Sequence, residues 1–201
     1  MSSEKSLTQQ RILETTVKLM QQKHGKGVRI EEIARAVGIS RQAVYLHFPS
    51  RADLLMAAGR YIDEQNHLDQ RLEEFRQASN GIRSLTSYID FWGNYIPVIY
   101  GPAKALLRAS ETDRAASAAW DDRMAAMYEG CRCVINCLQR EHLLAPNWKE
   151  KDAIDIMYGI LSISVWEQLT LEKGWTQKQY IDRIKQMMMQ TLVSPGKQPD
   201  K

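Results

Sequence analysis

The stretch from Ile30 to Phe48, IEEIARAVGISRQAVYLHF, constrains the fold of this chain more than any other. It reads as two short helices separated by the turn Gly38-Ile39-Ser40. Ile33, Ala34 and Val37 fall at i, i+1 and i+4 and give the first helix one apolar face. Gly38 is a natural stop, because glycine reaches the left-handed backbone region without a Cβ clash. Ser40 is placed to cap the second helix by accepting a backbone N–H from its first turn. Val44 and Phe48 turn that helix toward a core, which leaves Arg41, Gln42, Ala43, Tyr45 and His47 on its other faces. A helix-turn-helix requires this division, since its second helix must seat in a major groove while one stripe stays packed.

The charge distribution points the same way. Residues 1–52 carry nine Lys and Arg against four Glu, a surplus of five, while the whole chain is only +3, so the remainder sums to −2. A basic head on a near-neutral body is the electrostatic footprint of a small duplex-binding module. The cysteines number three, an odd count, and crowd positions 131, 133 and 137. That count and the lack of a signal-like N-terminus imply reduced thiols and a cytoplasmic location. No apolar run approaches the roughly 18 residues needed to span a bilayer, so no membrane association is expected.

The periodicity is helical nearly throughout, and strand-like alternation is absent. An amphipathic helix is expected over Ser6–His24 and ends in His24-Gly25-Lys26-Gly27. After the motif helices, Pro49 blocks continuation and Ser50 can cap a new start. A long helix is expected from Arg51 to about Gln77, on the spacing of Leu54, Leu55, Ala58, Ile62, Leu68, Leu72 and Phe75. Ser79-Asn80-Gly81 should break it. Further helices are expected over Ile82–Ile96, after Pro97 with an interruption at Gly101-Pro102, over Asp113–Leu144, over Lys149–Lys173, and over Thr176–Val193 with Thr176 as N-cap. The expected organisation is a helix-turn-helix domain at 1–52, a helical domain at 53–193 and a flexible tail at 194–201. The class is all-α, with about nine helices.

These elements together resemble the TetR/AcrR family of one-component transcriptional regulators. The resemblance is carried by Ile33-Ala34, Val37-Gly38-Ile39-Ser40, Val44-Tyr45, His47-Phe48, Ser50-Arg51 and Leu54. The family's pattern is Ile-Ala, Ala-Gly-Val-Ser, Leu-Tyr-x-His-Phe and Ser-Lys-x-x-Leu. The segment Glu172-Lys173-Gly174-Trp175-Thr176 also looks like the family's turn between its last two helices. Two positions depart from the pattern. Arg29 stands where a capping threonine is common, and Arg51 replaces the usual lysine.

The resemblance implies that Tyr45, His47 and Arg51 grip phosphates. Arg29 could add another such contact, and Ser40 with the N–H groups of its helix a further one. Arg41, Gln42 and Ala43 lie on the first turn of the second motif helix, where side chains reach base edges. Arg41 suits guanine, Gln42 adenine, and Ala43 a thymine methyl. The partner is then a double-stranded DNA operator. A helix-turn-helix gains affinity by dimerising across successive grooves. The resemblance places the homodimer interface on the last two helices, with Ile156, Gly159, Ile160, Ile163, Leu171, Ile181, Ile184 and Met188 as its apolar faces.

Phe91, Trp92, Tyr95 and Tyr100 cluster in sequence, and Trp120, Met124, Met127, Tyr128 and Cys131 form a helical stripe that Tyr158, Ser162 and Trp166 could face. Such walls suit a planar, apolar or cationic small molecule. The functional expectation is a ligand-released repressor of a palindromic operator, with no cofactor and no metal. Two alternatives are a thiol- or metal-responsive regulator using Cys131, Cys133 and Cys137, and a non-regulatory architectural DNA binder. Enzyme motifs (a nucleotide-binding glycine loop, HExxH, GxSxG) are absent.

Overall fold

A computed structural model of the chain describes residues 2–22 and 27–195, with side chains from residue 7 onward. The described residues are helical apart from turns and one isolated antiparallel bridge, Leu144 to Val193. The helices are α1 (Ser2–Gln22), α2 (Ile30–Val37), α3 (Arg41–His47), α4 (Arg51–Gln65), α5 (Leu68–Arg71), α6 (Glu73–Arg76), α7 (Gly81–Ser110), α8 (Arg114–Arg140), α9 (Glu150–Ile160), α10 (Ile163–Glu167) and α11 (Gln177–Leu192). A π-turn over Gln168–Glu172 follows α10. The expected stop at His24-Gly25-Lys26 lies outside the described residues.

The chain divides into two compact units, residues 1–68 with 99–124 and residues 69–98 with 125–201. In the first unit α1 packs on α2 and α4, and α2 packs on α3. Ile12, Ile33, Val44, Leu54 and Ala58 are completely enclosed at its centre. Leu106, Ala109, Ala116 and Ala119, from the end of α7 and the start of α8, complete that core. In the second unit α11 packs on α9 and the π-turn. Leu85, Ile89, Ile96, Ile135, Leu138, Met157 and Leu161 are among its enclosed apolar residues.

Several boundaries differ from the periodicity. The helix expected over Arg51–Gln77 ends at Gln65, where Asn66 donates its side-chain amide to the Ile62 carbonyl at 2.7 Å and His67 turns left-handed at φ 54°. The apolar stripe slips by a residue between Ile62 and Leu68, and the backbone breaks at that slip. Conversely, α7 runs unbroken through Pro97 and Gly101-Pro102. Pro97 has no N–H for the Gly93 carbonyl one turn back. That carbonyl instead accepts from the side-chain amide of Gln177 on α11. Gly93 is also a point of close approach by α11, since a Cβ there would overlap Ile181.

Asp113 precedes α8 instead of belonging to it, and its Oδ1 accepts from the N–H groups of Ala115 at 3.0 Å and Ala116 at 3.3 Å. The helix expected over Lys149–Lys173 divides at Leu161-Ser162, because the Ser162 hydroxyl accepts from Val165 N–H at 3.3 Å and starts α10. Ser194, expected to fray, donates its N–H to Leu143 O at 2.9 Å and its hydroxyl to Leu144 O at 3.2 Å. Residues 196–201 of the expected tail lie outside the described residues.

Candidate nucleic-acid interface

The local chemistry of α3 follows its sequence. Gly38 takes φ 78°, which ends α2. The Ser40 hydroxyl accepts from Ala43 N–H at 3.1 Å, and the Phe48 N–H donates to Val44 O at 3.0 Å. Ser50 repeats the device for α4, accepting from Asp53 N–H at 3.1 Å. Val44 and Phe48 are buried, which fixes the rotation of α3 about its axis. Arg41, Gln42, Tyr45 and Leu46 are left exposed, at i, i+1, i+4 and i+5, and form one outward face. Ala43 and His47 are half-buried beside it.

Leu46 was not anticipated. It is the most exposed large apolar side chain among the described residues of the unit, at 79%. Its spacing of four from Gln42 was the available signal. A branched apolar side chain on this face can meet a thymine methyl, which half-buried Ala43 does less readily. The Nδ1 of His47 is enclosed with no hydrogen-bond partner among the described residues, so His47 sits at the margin of the face.

The arginines divide by their surroundings. Arg41 meets Glu31 at 2.7 Å with both side chains more than half exposed (57% and 53%). Such a pair is worth at most about 1 kcal/mol and yields readily to a phosphate or a guanine. Arg51, expected on a phosphate, is turned inward. Its Nε donates to Val28 O at 2.6 Å, and its two terminal nitrogens donate to the two oxygens of Asp113 at 2.7 and 2.6 Å. This fork uses the geometry that distinguishes arginine from the lysine of the family pattern. The Arg51 guanidinium holds the Asp113 carboxyl below the usual carboxylate range, against a smaller opposing effect of burial.

Arg29 lacks the threonine hydroxyl of the pattern, but Glu32 accepts its backbone N–H at 2.9 Å and caps α2 from within. Gly27, Arg29, Glu31, Arg41, Tyr45, Arg51, Asp113 and Arg114 are among the residues lining an open cleft of about 570 Å³.

The expected ligand residues fall in both units. Tyr100, Trp120 and Met124 belong to the first, where Trp120 packs on the core of the head. The second unit holds the rest. Phe91 stacks on Tyr95 with ring centroids 5.2 Å apart and meets Trp92 edge-on at 5.3 Å. Phe91, Tyr95, Met127, Cys131 and Trp166 are buried, while Trp92 is half-buried with its Nε1 enclosed and unpartnered among the described residues. Tyr128 meets Tyr158 edge-on at 5.6 Å and donates to Asp155 at 2.9 Å. The Ser162 hydroxyl is engaged as a helix cap.

Tyr88 and Phe75 extend the aromatic cluster, their rings 4.8 Å apart, and Tyr88 donates to Met127 O at 3.0 Å. Tyr88 lies four residues before Trp92, so its helical spacing was visible in the sequence.

Of the expected dimer residues, Ile163, Ile181, Ile184 and Met188 are core of this chain. They form the inward stripe of their helices, because Ile181 must meet Gly93. Ile156 (38%) and Leu171 (58%) are exposed, as is Gly159, while Ile160 is half-buried. Met187, exposed at 37%, joins this outer set.

Two of the three thiols, Cys131 and Cys133, are held as neutral thiols by their surroundings, while the Cys137 sulfur accepts from Arg140 at 3.1 Å. Burial pushes the Cys131 thiol up to about 12, and burial followed by the Glu129 carboxylate also raises Cys133. Among the described residues, no group of three or more His, Cys, Asp or Glu is arranged to hold a metal. No helix among them is long and apolar enough to cross a membrane.

Residues 12–58 match the family model for bacterial regulatory proteins of the tetR family. Solved structures extend the likeness to the fold of the whole chain. A putative transcriptional regulator from Saccharomonospora viridis in complex with choline superposes with a TM-score of 0.71 at 18% identity, covering 94% of this chain and 99% of that one. NalD from Pseudomonas aeruginosa, the secondary repressor of the MexAB-OprM multidrug efflux pump, gives 0.71 at 18% identity over 96% and 100%. A putative TetR-family regulator from Rhodococcus sp. gives 0.70 at 17% identity over 93% and 99%. A search of curated proteins finds no sequence match.

Proposed function

We propose that this chain, whose residues 12–58 match the TetR-family model and whose fold is similar to TetR-family structures over most of its length, is a ligand-released, sequence-specific repressor. TetR-family proteins are DNA-binding regulators without enzymatic activity, so function lies in two binding equilibria and their coupling. The observation that carries the reading is the outward face of α3, where Arg41, Gln42, Tyr45 and Leu46 are exposed while Val44 and Phe48 lock the helix into its core.

Base reading falls to Arg41 and Gln42, each able to make a bidentate contact worth about 1–3 kcal/mol of discrimination. Tyr45 donates its phenol to a phosphate at the edge of the groove. Two copies, joined through outer residues that include Ile156, Leu171 and Met187, present two α3 helices to a palindrome with half-sites roughly 34–36 Å apart. The domain boundary near residue 52 stands as part of this reading, with the end of α7 and the start of α8 lending core to the head.

The effector is a small apolar or cationic aromatic-binding molecule. The ring faces of Phe91, Trp92 and Tyr95 attract a cation through their quadrupoles, and the structurally similar S. viridis regulator is in complex with choline. Release follows from population shift: effector must bind better to a state whose heads no longer match the operator spacing. The rod that could transmit this is α4 as far as Gln65, since the helix stops there.

Selecting duplexes from a random pool, then measuring anisotropy for wild type and Arg41→Ala, tests the reading. A palindrome bound at least about a thousandfold over bulk DNA, with relaxed preference in the variant, is expected. Binding indifferent to sequence would contradict it and favour the architectural alternative.

A further inference from the structure

The cleft beside α3 contains a basic residue that the helix-turn-helix motif does not supply. Arg114 is the first residue of α8, more than sixty positions beyond the motif, yet it lines the same cleft as Arg29, Arg41 and Tyr45. The arginines lining the cleft are Arg29, Arg41, Arg51 and Arg114, and the carboxylates are Glu31 and Asp113. Glu31 is engaged by Arg41 at 2.7 Å, and Asp113 by Arg51 at 2.6 Å. Arg114 is exposed and has no ion-pair partner among the described residues, and neither does Arg29. The cleft therefore carries a surplus of two positive charges on its two unengaged guanidiniums.

The Arg51–Asp113 fork makes the position of Arg114 dependable. Asp113 is held from α4 by two short bonds and from α8 by the N–H groups of Ala115 and Ala116. Arg114 follows it directly, so its backbone is pinned to the head while its side chain stays open to solvent. The cleft opens beside Arg41 and Tyr45, the side chains that a duplex would meet first.

We propose that Arg114 belongs to the DNA interface, holding with Arg29 a backbone phosphate on the flank of the groove that α3 enters. It supplies position and charge without sequence information. This rests on the DNA-binding reading above and extends its interface to the α7–α8 turn. The turn then senses DNA through Arg114 and α4 through Asp113, so one segment touches both.

The test is the salt dependence of binding to a labelled mixed-sequence duplex of about 30 base pairs, for wild type, Arg114→Ala, Arg114→Lys and, as control, the exposed Arg83→Ala. Each phosphate contact contributes a slope of about −0.9 in log K against log salt. Arg114→Ala is expected to lose about one unit of slope and to bind severalfold more weakly, equally on every sequence. Arg114→Lys should keep the slope, and Arg83→Ala should match wild type. An unchanged slope in Arg114→Ala, with wild-type affinity intact, overturns the proposal alone. Failure of wild type to bind any duplex overturns the DNA reading itself.

Inorganic phosphate distinguishes a free anion from a phosphate held in DNA. If phosphate without DNA raises the melting temperature of wild type but not of Arg114→Ala, while their DNA slopes agree, the cleft is a small-anion site and the proposal fails.

Discussion

The head around α3 and the aromatic face of α7 are both ordered by polar groups that find partners within the protein. The partners lie at different distances along the chain. In the head, Ser40 accepts from Ala43, Ser50 from Asp53 and Glu32 from Arg29, each three positions apart. In the second unit, the Gly93 carbonyl takes its donor from Gln177, 84 positions later, and Tyr88 reaches Met127, 39 positions later. Caps and turns three residues apart are written in local sequence, whereas a carbonyl rescued from another helix is not. The turn and caps of α2, α3 and α4 are accordingly local and can be recognised from a motif, while the Pro97 passage of α7 depends on an encounter at a distance.

The largest expected effect sharpens this comparison. Leu54 and Leu138 are both completely enclosed, one in each unit. Each substitution to alanine should cost about 3 kcal/mol in urea unfolding, through lost transfer energy and the cavity left behind. Leu54→Ala should also weaken DNA binding, whereas Leu138→Ala should leave the affinity of the folded fraction unchanged. Equal losses of DNA affinity would mean that the two units are not separable.

Gly93→Ala comes next. A Cβ at that position runs into Ile181, so overpacking should destabilise the second unit by about 1–3 kcal/mol, read from the urea midpoint. Unchanged stability would show that α11 is not held against α7 at Gly93.

Asp113→Asn probes a long-range device in the head, the fork to Arg51 with its side chains about one-fifth exposed (23% and 19%). The depressed carboxyl means its stabilisation is fully present above the unfolded value, about 3.9, and is lost as pH falls through the folded value. The variant should be less stable by about 1–2 kcal/mol at neutral pH, and its deficit should shrink below about pH 4. A deficit that did not depend on pH would assign the cost to packing instead.

The smallest effect tests the local end. Ser40→Ala should cost about 1 kcal/mol by loss of the α3 cap, a fall of about 2–4 °C in thermal melting.

The same contrast explains what could be read in advance. Gly38, Ser40, Ser50 and Thr176 announced their turns and caps because each acts within its own turn of helix. Periodicity failed where the backbone answers to something remote. Pro97 looked like a stop because Gln177 was not in view, and Ile181, Ile184 and Met188 looked like an outer face because Gly93 was not. The grip of Arg51 on Asp113 could not be read because the two lie 62 positions apart. The outward placement of Arg41, Gln42 and Tyr45 on α3 was legible, whereas the exposure of Leu46 on the same face and the place of Arg114 in the adjoining cleft were not, the first for being apolar and the second for lying outside the motif.

The central claim is that the outward face of α3 reads DNA, and hydroxyl-radical footprinting on a selected duplex tests it most directly. Protection of the backbone flanking two major grooves about one helical turn apart, lost in Gln42→Ala and Tyr45→Ala, is the predicted result. Absent or uniform protection at saturating protein, or a footprint indifferent to both substitutions, would contradict it.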